Sequence, residues 1–210
     1  MSNPVLVKAL PTTTVVSEGD EPTAALLLAS AVELMSKNGY QATSVRDLAE
    51  AAGTSPTALY HYFESKHDLL ATILNRSMDS LLHEAEQAVF DCPSDPASRL
   101  STLVGVHVRR HINAPRESLL GNSELRSLEP DARGVVVTKR DALQRLYARV
   151  ITAGTQQGVF MTQFPDEATR AITGACTAVS LWYKKDGKLS ADELISRYQH
   201  MMLDLVVIKR

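Results

Sequence analysis

The feature that most constrains this chain is a pair of very short helical segments separated by a glycine. Ser44-Val45-Arg46-Asp47 is a Ser-x-x-Asp variant of the capping box, in which the serine hydroxyl takes the N3 amide and the acidic side chain reaches back to the N-cap amide. It opens a segment with Val45, Leu48 and Ala49 on its inner face, and Gly53 stops it. Ser55-Pro56 then supplies a second N-cap, with proline at the first helical position, and this segment runs to about Tyr62. Helices this short are not stable alone in water. They must pack on a neighbour, and the preceding stretch provides one. Pro22 suits a first helical turn, Leu27, Ala31 and Leu34 recur at helical spacing, and Asn38-Gly39 ends the pattern. Two short helices joined by a glycine-containing turn, beside a third, form a helix-turn-helix unit.

From Ser65 onward the hydrophobic period stays helical, and alternation of the strand type never persists. The spacing predicts helices near 66–90, 96–113, 117–127, 130–157, 165–184 and 190–207, broken at Cys92-Pro93, Ala114-Pro115, Gly158 with Pro165, and Asp186-Gly187. The expected fold is therefore all-α: a three-helix head over 20–66 and a larger helical body over 67–210. Residues 1–19 contain Pro4, Pro11 and Thr12-Thr13-Thr14 without helical periodicity, and are expected to be a disordered tail.

Composition excludes several classes. No apolar run approaches the roughly 18 residues of a membrane span, and the start lacks the pattern of a signal peptide, so a cytoplasmic protein with no membrane partner is expected. Cys92 and Cys176 are then free thiols. No Gly-rich phosphate loop, zinc motif, nucleophile elbow or Cys-His arrangement is present, so neither an enzyme nor a cofactor is expected. Charge argues in the other direction from the helix-turn-helix. Residues 1–75 carry four Lys/Arg against eight Asp/Glu, whereas phosphate neutralisation favours a basic head. A helical interaction module without DNA binding is the competing reading.

The stretch Thr43–Phe63, with Ser65-Lys66 and Leu69-Leu70 after it and Ala31, Leu34, Gly39 and Tyr40 before it, resembles the head of the TetR family of transcriptional regulators. The resemblance implies a helix-turn-helix that binds double-stranded operator DNA, on a body whose last two helices form a homodimer. A recognition helix presents small or polar groups to base edges and hydrogen-bonding groups to phosphates. Ser55, Thr57 and Ala58 suit the bases; Tyr60, His61 and Tyr62 suit phosphates, with Lys66 as a nearby cation. The resemblance assigns backbone contacts to Thr43, Ser44, Arg46, Tyr60, His61 and Lys66. The chain departs from the common pattern at Pro56, often a lysine, and in lacking a basic cluster before the first helix.

In the body, Leu194, Ile195, Tyr198, Met201, Met202, Leu205 and Val206 form an apolar stripe opened by Ser190-Ala191-Asp192-Glu193. The preceding helix carries Ile172, Ala175, Val179 and Trp182 beside Gly174 and Ala178. The dimer implied by the resemblance is assigned to Ile172, Ala175, Val179, Trp182, Tyr198, Met202 and Val206. His107-x-x-x-His111 shares a face with Leu100, Leu103 and Val104. Buried imidazoles require hydrogen-bond partners or a ligand, and no third metal ligand is evident. Glu124-x-Arg126 and Lys139-Arg140-Asp141 fit either solvated faces or a pocket. Together with Trp182-Tyr183 and Asp186-Gly187, this pattern looks like the TetR subgroup that answers to acyl-CoA thioesters. The expected effector site is His107, His111, Arg126, Arg140 and Trp182. The expected function is a repressor released from its operator by a small hydrophobic effector, with acyl-CoA the first class to test.

Overall fold

The computed structural model describes residues 13–207. Among these residues the fold is nine α-helices and one short 3-10 turn. The head comprises α1 (Pro22–Asn38), α2 (Val45–Ala51) and α3 (Pro56–Tyr62). The body comprises α4 (Lys66–Asp91), α5 (Pro96–Asn113), α6 (Pro115–Ser123), α7 (Pro130–Gln156), α8 (Pro165–Trp182) and α9 (Ala191–Val206). No helix among the described residues is long and apolar enough to cross a membrane.

The caps form as the sequence requires. The Asp47 amide donates to Ser44 Oγ at 3.1 Å while the Ser44 amide donates to Asp47 Oδ2 at 2.8 Å. The Ala58 amide donates to Ser55 Oγ at 3.2 Å. Gly53 lies at φ 66°, a left-handed conformation that a side chain would strain. The segment expected at 117–127 is divided between α6 and the 3-10 turn Leu125–Ser127, and α8 ends at Trp182.

Two cores hold the molecule. Leu27, Leu48, Leu59, Phe63 and Ile73 build the first, which also takes in Leu120, Leu128 and Val136. The head is therefore packed directly on α6 and α7, as well as joined to the body through α4. The second core lies among α4, α5, α7, α8 and α9, with Tyr147 and Phe160 fully buried.

The expectation of a disordered tail is corrected for residues 13–19; residues 1–12 lie outside the described residues. Val15 is buried in the first core. Thr13 Oγ1 and the Thr14 amide donate to Glu117 Oε1 at 2.7 and 3.1 Å. Arg76 donates to the Val15 carbonyl and pairs with Asp20 at 2.6 Å. One buried side chain with a few hydrogen bonds generates no periodicity, so a pattern search does not register it.

Candidate nucleic-acid interface and effector cavity

On α3, Leu59 is buried while Thr57, Tyr60 and His61 are exposed, and Ala58 is half-buried. Ser55 at the start of α3, and Ser44 and Arg46 at the start of α2, are also exposed. This is one polar surface built around the helix turn. Three of the ten residues assigned to DNA are engaged by the head itself. Thr43 is buried and donates its hydroxyl to the Gly39 carbonyl at 2.8 Å. The Tyr62 hydroxyl donates to Glu21 at 2.9 Å, an interaction that raises its pKa. Lys66 donates to the carbonyls of Tyr40 and Thr43, both at 2.9 Å, and lies over the Tyr40 ring. The acidity of the head is also accounted for in part. Asp20 pairs with Arg76, Glu33 with Arg116, Glu21 accepts from Tyr62, and Asp47 and Asp68 accept backbone amides.

Below the head, α4 to α8 line a half-open cavity of about 460 Å³. Leu74, Met78, Leu81, Val136 and Leu143 form its apolar walls. Its polar lining includes His107, Arg110, His111, Glu117 and Arg140. His107, His111 and Arg140 all line this cavity. Arg126 and Trp182 do not: Arg126 is exposed on the 3-10 turn, and Trp182 stacks on Tyr198 with ring centroids 6.4 Å apart. Glu117, Ser118 and Arg170 join the lining without any signal in the sequence pattern. Arg110 had one, since it shares a helix face with His107 at i+3.

Each charged group in the cavity has a distinct state. Arg110 is tied down by Ser80 Oγ at 2.8 Å, Glu84 at 3.1 Å and the Ser77 carbonyl at 3.2 Å. Arg140 donates to the Gly121 carbonyl at 2.5 Å but has no carboxylate in ion-pair range among the described residues. Burial lowers its pKa. Burial, then the neighbouring His111, holds His107 well below the usual imidazole range. His111 is pushed down to about 4 by burial and then by Arg110 and Arg140. Both imidazoles are therefore neutral at physiological pH. No cluster of three or more metal-ligating side chains occurs among the described residues.

Four of the seven residues assigned to the dimer interface, Ile172, Val179, Met202 and Val206, are buried in the subunit's own core. Ala175 and Tyr198 are half-buried. The apolar side chains left exposed on α8 and α9 are Leu181, Trp182, Met201 and Leu205. The stripe on α9 is broad enough to cover two surfaces, and the inner one belongs to the monomer.

A helix-turn-helix head packed on a cavity-bearing helical body defines a ligand-responsive, DNA-binding transcriptional regulator. Comparison with known proteins gives the family. Residues 27–73 match the family described as bacterial regulatory proteins, tetR family, and residues 93–206 match the tetracyclin repressor-like C-terminal domain. The chain belongs to the TetR family, whose members bind operator DNA and function as dimers. It is similar to the HTH-type transcriptional repressor KstR2 of Rhodococcus jostii, at 28% identity over 85% of this chain and 88% of that one. A crystal structure of a bacterial regulatory protein in the tetR family from Rhodococcus RHA1 superposes with TM-score 0.84 at 28% identity, covering 91% of this chain and all of that one. AibR, solved in complex with isovaleryl coenzyme A and operator DNA, shares the fold with TM-score 0.76 at 22% identity, over 89% of this chain and 98% of that one.

Proposed function

We propose that this chain is a dimeric repressor whose effector occupies the cavity among α4 to α8, and that an acyl-CoA thioester is the first effector class to test. The observation that carries the reading is a largely apolar cavity with a guanidinium, Arg140, that has no carboxylate partner among the described residues. An acyl chain fits the apolar walls, and a half-buried cation without a carboxylate partner favours a ligand carrying carbonyl or anionic oxygens. AibR is a precedent for this fold holding an acyl-CoA and an operator in one complex.

The DNA surface is Ser44, Arg46, Ser55, Thr57, Ala58, Tyr60 and His61. Coupling follows from the packing. Leu74 and Met78 of α4 line the cavity, while Leu70 and Ile73 on the same helix sit in the head core. Paired heads must match half-sites about one DNA turn apart, roughly 34–36 Å or a multiple. An effector that binds one spacing of the heads better than another changes operator affinity, about 5- to 150-fold for typical coupling, and operator changes effector affinity by the same factor. Calorimetric titration of an acyl-CoA panel with and without operator tests this. Equal affinities in the two conditions, or no binding, defeat the thioester effector.

Two substitutions separate contact from support. Tyr60→Ala is expected to weaken operator binding about 5- to 10-fold in a gel-shift titration, consistent with loss of one hydrogen bond, with no change in melting temperature. Lys66→Ala removes two charge-assisted hydrogen bonds to the loop after α1, and is expected to cost about 2 kcal/mol, or roughly 4–8 °C in melting temperature. A Lys66→Ala protein that melts normally but binds DNA weakly would return Lys66 to the contact set.

A further inference from the structure

A second, wider space lies beside the effector cavity. It measures about 700 Å³ and is bounded by α1, the end of α5, the start of α6 and the turn after α8. Only two side chains line both spaces, His111 and Glu117. They form the partition between an apolar chamber and a groove that carries Lys185 and Arg116, the latter ion-paired with Glu33 at 3.0 Å.

His111 is held through one ring nitrogen, and Glu117 through the N-terminal arm. Ser118 Oγ lies 2.9 Å from both the Ala114 carbonyl and His111 Nδ1, so one ring nitrogen of His111 is engaged. The other, Nε2, is buried and has no hydrogen-bond partner among the described residues, on a residue only 7% exposed. His107 shows what a settled imidazole looks like here. Thr177 donates to the Thr173 carbonyl, so His107 Nε2–H donates to Thr177 at 3.3 Å and Nδ1 accepts from the Tyr147 hydroxyl at 3.2 Å. A buried polar atom left unpaired is unfavourable, which lowers the cost of moving His111. Glu117 is also buried, and its hydrogen bonds come from Thr13 and Thr14 of the N-terminal arm. That arm places Val15 in the head core, where Arg76 of α4 holds its carbonyl.

We propose that the chamber and the groove are two compartments of one site for an elongated amphiphile with an anionic head, and that a ligand long enough to fill both displaces the His111–Glu117 partition and releases the N-terminal arm. The apolar chain occupies the chamber, and the head group lies near Lys185, where it competes with Glu33 for Arg116. Ligand length is then converted into loss of the Thr13 and Thr14 contacts, at the point where the body touches the head. This proposal rests on the cavity being the effector site.

The test uses the full-length dimer with two sets of probes, straight-chain fatty acids from hexanoic to octadecanoic and the CoA thioesters of the same chains. These share an apolar chain with an anionic group and differ in its source. Affinity is measured by calorimetry and arm release by amide hydrogen exchange at residues 13–16. Long chains are expected to accelerate exchange at Thr14 by about tenfold or more, and short chains to bind without doing so. His111→Ala should shift that threshold to shorter chains, and Lys185→Ala should weaken the long-chain probes. Without ligand, Glu117→Ala should free the same amides and Glu117→Gln, which keeps a carbonyl acceptor, should not. Thioesters that bind while the arm stays protected would overturn the two-compartment site and leave the effector reading intact. Fatty acids that release the arm when no thioester binds would do the reverse. If neither set binds, or if arm exchange in Glu117→Ala matches the parent protein, the partition is not a gate.

Discussion

A protein carrying Met201→Asp together with Leu205→Asp is expected to be a folded monomer whose operator affinity has fallen by about a hundredfold or more. The expectation rests on which apolar side chains the subunit leaves uncovered. Trp182, Met201 and Leu205 are 48%, 56% and 41% exposed, on the last two helices. Fully burying a large apolar side chain is favourable by about 1.5–3 kcal/mol, and a two-fold interface counts each residue twice. Introducing two aspartates per subunit reverses that gain and sets carboxylates where they must be desolvated; an uncompensated buried charge typically costs about 3–5 kcal/mol. A monomer engages one half-site, so its affinity drops with the dimer. Met202→Asp is the informative contrast. Met202 is adjacent in sequence but only 4% exposed, inside the subunit core, so aspartate there should unfold the protein at any concentration. Sedimentation, a thermal melt and a gel-shift titration on both variants distinguish the outcomes. A double variant that stays dimeric at micromolar concentration places the interface elsewhere.

That contrast also shows what the sequence could and could not convey. Caps are local chemistry, so Ser44, Ser55 and Ser190 mark helix starts that the structure reproduces. Helix type is set by periodicity and is equally legible. The side a residue faces is another matter. The apolar stripe of α9 is wider than one contact needs, and sequence spacing cannot say that Leu194, Ile195, Met202 and Val206 meet the core while Met201 and Leu205 remain outside. Lys66 illustrates the same limit for charge. A lysine beside a recognition helix suits phosphate, but the loop after α1 returns to present the Tyr40 and Thr43 carbonyls to it, a contact across more than twenty residues that no local pattern contains. In the cavity, His107 and His111 are legible because two imidazoles on an apolar face require partners. Glu117 is not, since its role depends on an arm with a single buried apolar residue.

The two histidines also give the body a pronounced acid sensitivity. In the native state His111 has its pKa pushed down to about 4, and His107 is held well below the usual range, in both cases chiefly by burial. In the unfolded chain an imidazole titrates near 6.5. The sign follows. Between pH 6.5 and about 4 the unfolded chain binds a proton at each histidine that the native state does not, so stability is complete above about pH 6.5 and declines as pH falls through that window. Each pH unit separating the folded from the unfolded titration is worth roughly 1.4 kcal/mol, so His111 alone accounts for about 3 kcal/mol by pH 4, and His107 adds in the same direction. That is a large share of a typical folding free energy of about 5–15 kcal/mol. Urea unfolding at intervals from pH 7.5 to pH 4.5 measures the slope. His111→Phe keeps a flat ring of similar size in the partition but has no proton to bind, so its stability should decline less steeply below pH 6.5, while the contributions of carboxylates such as Asp20 and Asp47 remain common to both proteins. Parallel curves for parent and variant would mean that His111 protonates freely in the native state, and the neutral, half-satisfied imidazole assigned to the wall of the cavity would be wrong.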